Sequence, residues 1–222
     1  MIKISKRLTT IANIVLQKNS KKIIDVGCDH ALLDIYLLQN NPNLKIIASD
    51  INEKPLESAK KNIEKYSFLN KIEICLKDGI KEIDKDVDTV VISGMGMETI
   101  VEILENGKKE LNHIERLIIS SNNKYQELRT NITKLGFKIS YETIIYDEEK
   151  YYTIVEFIKG KETYSDKELY FGPVLLKNKD ENFYNYYQNI KNVKEMIVKS
   201  LPNDNSKKEI LKREIELLSE EC

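Results

Sequence analysis

The sequence predicts an α/β fold, a largely parallel sheet with crossover helices, followed by a small helical domain. Three observations carry that reading. Short β-branched runs alternate with helical patterns from residue 22 to residue 135. Two strand-like runs then follow each other directly, as in a hairpin. Beyond Gly160 the chain turns charged and aromatic, with apolar residues at three-and-four spacing.

Taken in order, Leu8, Ile11, Ala12, Val15 and Leu16 recur at helical spacing and make the opening segment an amphipathic helix. Strands are expected at Lys22 to Val26, Leu44 to Ser49, Lys71 to Leu76, Val87 to Ile92 and Arg116 to Ser120. Helices are expected near 31 to 40, 53 to 66, 97 to 106 and 124 to 135. Phe137 to Ile145 and Tyr151 to Ile158, joined by the charged segment 146 to 150, read as a hairpin closing one edge of the sheet. Gly172-Pro173 marks a joint. Phe183, Tyr186, Ile190, Val193 and Ile197 then form a helical stripe, Pro202-Asn203-Asp204-Asn205 breaks it, and Ile210, Leu211, Ile215 and Leu218 resume it as a helical hairpin. The expected domains are residues 1–160 and 161–222.

At 222 residues, 41% hydrophobic and 32% charged, the chain has the composition of a soluble globular protein. No apolar run approaches the roughly 20 residues that cross a bilayer. No secretory pattern opens the chain, so a cytoplasmic protein without membrane partners is expected. Cys28, Cys75 and Cys222 are odd in number and have no ligand-spaced histidines, which argues for reduced thiols and no metal site. A net charge of -1 leaves any nucleic acid to be held by a local patch. Lys3, Lys6, Arg7, Lys18, Lys21 and Lys22 supply one, with no acid among the first 22 residues. It reads either as a solvated helix face or as an RNA contact.

The chemistry gathers at strand ends, where open α/β sheets bind ligands. The first strand runs into Asp25-Val26-Gly27-Cys28-Asp29-His30. Gly27 lets the backbone approach a ligand, but a pyrophosphate turn would carry more glycines and no acids. The turn suits a cation, and S-adenosylmethionine, with a sulfonium, an ammonium and no phosphate, matches Asp25 and Asp29. Asp50, followed by Ile51, ends the second strand 25 residues after Asp25, where an acid commonly accepts both ribose hydroxyls. Asp78-Gly79 after the third strand is suited to the adenine. Ser93-Gly94-Met95-Gly96 after the fourth is the flexible loop where a methyl acceptor would enter. Singly, Asp25 is as well read as a loop cap and Asp78-Gly79 as an ordinary turn. His30 reads as a base or as a capping group, Cys28 as a packing residue, and Tyr184, Tyr186 and Tyr187 as base-stacking groups or a helix interface. A nicotinamide-dependent oxidoreductase would need the missing glycines; a noncatalytic RNA-binding protein would not need the aligned acids.

The chain resembles the TrmK-type bacterial tRNA (adenine(22)-N(1))-methyltransferases. The likeness runs through Ser5-Lys6-Arg7-Leu8, Asp25-Val26-Gly27-Cys28-Asp29-His30-Ala31, Ser93-Gly94-Met95-Gly96, Glu149-Lys150-Tyr151-Tyr152 and Gly172-Pro173. It implies a Rossmann-like class I methyltransferase domain, a C-terminal coiled-coil-like helical domain, and tRNA as partner. On that reading Asp29 falls on a position implicated in catalysis. The expected cofactor residues are Asp25, Gly27, His30, Asp50, Ile51, Asp78, Gly79, Gly94 and Met95, and the expected substrate residues Lys6, Arg7, Gly96 and Asn123. The chain departs from the family at Leu32 and Asp34, usually Tyr and Pro, and at Met97, often Gly. Ser121-Asn122-Asn123 keeps only the last residue of the usual Gln-Pro-Asn.

Overall fold

The computed structural model describes residues 1–18, 20–202 and 205–221, so Cys222 and the Asn203-Asp204 part of the expected helix break lie outside the described residues. The chain divides into two compact units, Met1–Leu176 and Lys177–Cys222. In the first, α1 (Lys6–Gln17) precedes β1 (Lys22–Val26), α2 (Leu32–Asn40), β2 (Lys45–Asp50), α3 (Glu53–Lys65), β3 (Ile72–Leu76), β4 (Thr89–Met95) and α4 (Met97–Asn106). After one 3-10 turn come β5 (Arg116–Ser121), α5 (Tyr125–Lys134), β6 (Phe137–Asp147), β7 (Lys150–Lys159) and α6 (Asp166–Phe171).

The seven strands lie in the order β3-β2-β1-β4-β5-β7-β6. The first five are parallel, with Ile24 opposite Ile47 on one side and Val90 on the other. β7 runs antiparallel between β5 and β6. The expected hairpin therefore enters with its second strand inward, and β6 forms the edge. Central strands buried on both faces need apolar runs rather than alternation, and Ile23-Ile24 and Val90-Val91-Ile92 supply them. Ile23, Ile46, Val91 and Ile118 pack with α1, α2 and α3 on one face; Ile24, Ile47, Val90 and Ile119 pack with α4 and α5 on the other.

Two buried arginine–glutamate pairs fasten the ends of this unit to the antiparallel edge. Arg116 donates to Glu156 at 2.5 Å, to the Ile14 carbonyl at 2.8 Å and to the Lys18 carbonyl at 3.0 Å, holding the end of α1. Arg129 donates to Glu142 at 2.7 Å and to the Leu169 and Tyr170 carbonyls, while Glu142 accepts from the Val174 N–H at 3.0 Å. Gly172, at φ +98°, turns the chain where a Cβ would stand 2.6 Å from the Glu142 carboxylate. This second pair moves the domain boundary: residues 161 to 176 belong to the sheet unit, not to the helical one as the composition shift suggested.

α7 (Pro173–Lys177) leads out of the sheet unit. The second unit pairs α8 (Glu181–Ser200) with α9 (Ser206–Glu221). Asp180 caps α8 by accepting from the Phe183 N–H, and Lys179–Glu221 and Lys194–Glu214 join its helices in antiparallel register. The expected apolar stripe is buried only in part. Of that stripe Phe183 is covered, whereas Val193 is 50% and Ile197 41% exposed, because two helices alone cannot enclose the whole face.

Candidate active site

The strand order reverses between β1 and β4, which opens a crevice at their carboxyl ends. A cavity of about 460 Å³ occupies it, lined by Arg7, Asp25, Gly27, Cys28, Asp29, His30, Leu32, Asp50, Ile51, Gly94 and Met95 among others. A neighbouring recess of about 280 Å³ shares Gly27, Asp50, Ile51 and Met95 and adds Lys77, Asp78, Gly79, Thr99, Glu102 and Asn106. The residues expected from four separate strand ends thus line two adjoining hollows, with Asp78 and Gly79 in the smaller one.

The turn after β1 has three positive φ angles in five residues: Gly27 at +75°, Asp29 at +49° and Ala31 at +53°. Aspartate tolerates this region because its side chain is short and polar, and alanine is held there by context. The turn hangs from β2: the Gly27 and Cys28 N–H groups both donate to the Ser49 carbonyl, at 2.8 and 3.0 Å. A Cβ on Gly27 would lie 2.3 Å from the Met95 methyl, so the acceptor loop closes directly over the glycine.

The acids here differ sharply in surroundings. The Asp29 side chain is 70% exposed, with His30 Nε2 at 3.6 Å from its carboxylate. His30 is itself half exposed and does not cap α2, which starts from Ala31 without a side-chain cap. Asp50 accepts from the Asn52 N–H at 2.9 Å, which fixes its carboxylate at the rim. Asp25 is only 5% exposed, and burial and then the Asp50 charge push its pKa up to about 7. Asp25 lies within β1 and lines the cavity. Asp34, unremarkable in the sequence apart from replacing a proline, is fully buried, and neither carboxylate oxygen has a hydrogen-bond partner among the described residues. Burial and the charge of Asp25 hold its pKa well above the ordinary carboxylate range. Cys28 is buried, and desolvation followed by these acids pushes its thiol pKa up, as suits a packing residue.

The acceptor loop is braced by Asn122 and Tyr125, which no sequence pattern marks, and by Asn123, expected as a substrate residue. Asn122 donates to the Gly94 carbonyl at 2.8 Å, and Tyr125 to the Ser121 carbonyl at 2.6 Å. Asn123 uses its side-chain oxygen to accept from the Met97 N–H at 3.1 Å, closing the start of α4 beside Gly96. From the N-terminus Arg7 reaches the same cavity, with Nη1 3.7 Å from where a Gly94 Cβ would stand. Lys6 instead donates to the Tyr146 carbonyl at 3.3 Å.

Three acids, Asp25, Asp29 and Asp50, line a cavity beside a turn with no phosphate-binding glycine pattern, which fits a positively charged ligand and opposes a pyrophosphate. Fold and site together define a class I S-adenosylmethionine-dependent methyltransferase. Within that class the chain belongs to the TrmK family of tRNA (adenine(22)-N(1))-methyltransferases, whose model matches residues 23–220. The tRNA (adenine(22)-N(1))-methyltransferase of Bacillus subtilis (strain 168) is 34% identical over 155 residues, 69% of this chain and 64% of the relative. The M. capricolum TrmK structure, solved with S-adenosyl-homocysteine, superposes with a TM-score of 0.87 at 34% identity, covering 98% of this chain and 96% of that one. A Streptococcus pneumoniae structure in complex with S-adenosyl-L-methionine gives 0.89 at 32% identity, covering 98% and 99%.

Proposed function

We infer that this chain transfers a methyl group from S-adenosylmethionine to N1 of adenine 22 in tRNA. The observation that carries the reading is the cavity at the β1–β4 crevice, with Asp25, Asp29 and Asp50 around a turn that lacks the pyrophosphate glycine pattern, in a chain of this family. Asp50 would meet the ribose hydroxyls, Asp78 and Gly79 the adenine between Ile51 and Met95, and the turn from Asp25 to His30 the methionine end. When bound, the cofactor supplies an electrophilic methyl group on a cationic sulfur.

Adenine N1 attacks with a ring lone pair and carries no proton, so the protein has no base catalysis to perform. Its work is positioning and electrostatics. N1 lies on the pairing edge, and the base must leave its stack to enter the cavity mouth. Asp29 accepts a hydrogen bond from the adenine amine and offsets the positive charge that develops on the ring. Lys6, Arg7, Gly96 and Asn123 line the substrate's approach, and the helical unit holds the tRNA body. Acting on the tRNA pool, the enzyme works in the cytoplasm.

Mass analysis of tRNA nucleosides after incubation with labelled cofactor tests the reading; 1-methyladenosine at position 22 is expected, and unmodified adenine there overturns it. In the same assay at saturating cofactor, Asp29→Ala slows single-turnover methylation about tenfold while cofactor affinity holds. The hundredfold scale of a desolvated electrostatic group is not reached because Asp29 is solvent-exposed. A normal rate in Asp29→Ala removes the catalytic role.

A further inference from the structure

Arg7 differs from the two buried arginines of the sheet unit. Arg116 and Arg129 are spent on Glu156 and Glu142, whereas the Arg7 guanidinium has no carboxylate partner among the described residues. Its position is nevertheless set by other groups. Its backbone N–H donates to Asp147 Oδ2 at 2.8 Å, and its guanidinium lies over the Tyr152 ring, 4.9 Å from the centroid. Ser5 caps the same helix start by accepting from the Leu8 N–H at 3.2 Å. Asp147 pairs with Lys150 across a two-residue turn, Glu148-Glu149, in which both φ angles are positive, at 48° and 61°. That tight turn fixes where the Asp147 carboxylate stands. The hairpin tip is therefore the dock for the helix that carries Arg7 into the cavity mouth.

A stacked, unpaired guanidinium presents a planar fork suited to a phosphate. The base itself is a poor partner, since its methylated form is a cation and a neighbouring arginine would oppose it. We propose that Arg7 binds the phosphate flanking the target adenine and that Asp147 is the residue positioning it there. The proposal rests on the tRNA-methylation reading and adds the element of substrate that Arg7 recognises.

Steady-state methylation of tRNA by the full chain, over a series of salt concentrations and with parallel cofactor titrations, tests it. Arg7→Ala is expected to raise the KM for tRNA about tenfold to hundredfold, the scale of a charged hydrogen bond. It should also flatten the salt dependence by about one phosphate contact. Asp147→Ala raises the same KM severalfold, and Asp147→Asn, which keeps an acceptor oxygen, restores most of it. In the double variant Asp147→Ala adds nothing to Arg7→Ala, because the two act as one unit. Cofactor affinity stays unchanged throughout. An unaltered salt slope in Arg7→Ala overturns the phosphate assignment, and additive effects or an unchanged KM in Asp147→Ala overturn the positioning role. Wild-type chain that leaves tRNA unmethylated would instead overturn the proposed function itself.

Discussion

The sheet unit buries two sets of acids and treats them in opposite ways. On the antiparallel edge, Glu142 and Glu156 each receive an arginine, and Glu156 also accepts from Lys18 at 2.7 Å and Ser140 at 2.6 Å. Burial works against ionising Glu156, but Lys18, Ser140 and Arg116 outweigh it and hold its pKa below the usual carboxylate range. Under the glycine turn, Asp25 and Asp34 have no such partner among the described residues, and both are shifted upward. A buried charge is costly unless it is paired, so a fold pairs the acids that serve its architecture. Of the two aspartates, Asp25 lines the cavity, where the cation of a ligand can meet it.

That contrast can be broken most forcefully on the paired side. Glu142→Ala strands the fully buried Arg129 and releases the segment around Val174; a loss of about 3–5 kcal/mol in folding stability is expected, read by denaturant unfolding. A loss below 1 kcal/mol, the range of surface pairs, would mean that the pair is not what fastens residues 161 to 176.

On the unpaired side, Asp50→Ala should leave the fold intact and weaken S-adenosylmethionine binding by about 1.5–3 kcal/mol in titration calorimetry, one charged hydrogen bond's worth. It should also let Asp25 ionise more readily, since the Asp50 charge is one of the two causes raising it. Unchanged affinity would mean that the β2 acid does not reach the ribose.

The smallest effect sharpens the comparison through pH. A carboxyl raised in the folded state keeps its proton after the unfolded chain has lost its own, so stability falls as pH climbs from about 4 toward the folded pKa. Asp34→Asn has no proton to lose. Wild type and variant should fall apart in stability as pH rises, with wild type losing on the order of 1 kcal/mol per pH unit relative to the variant. Thermal melts at pH 5 and pH 7 measure this, and parallel curves would show that Asp34 is charged and paired after all.

The strands were legible because β-branched runs such as Lys22–Val26 and Arg116–Ser120 have few other uses, and their ends fall within a few residues of the expected positions. The cavity was legible because its residues sit at consecutive strand ends, and topology alone brings those together. What could not be read were the pairings between distant residues. Nothing near Arg129 in the sequence announces Glu142 and Gly172 as its surroundings, so composition places the boundary at residue 160 while the contacts of the sheet unit run on to Leu176. Nor does an aspartate in the first turn of α2 announce that it faces the core: first-turn acids are ordinarily solvated helix-starting residues, and only burial distinguishes Asp34 from them.

The strand order also bears on how the chain is made. β7 lies between β5 and β6, so β6 has no seat in the sheet until the strand after it has been synthesised. The polar anchors of the first helix, at Arg116, Asp147 and Glu156, all belong to strands that leave the ribosome long after it does. A nascent chain therefore carries its first helix without these holds through most of translation, resting on α2 through Ile2 and Gln39, and gains the last of its polar anchors only when β7 takes its place.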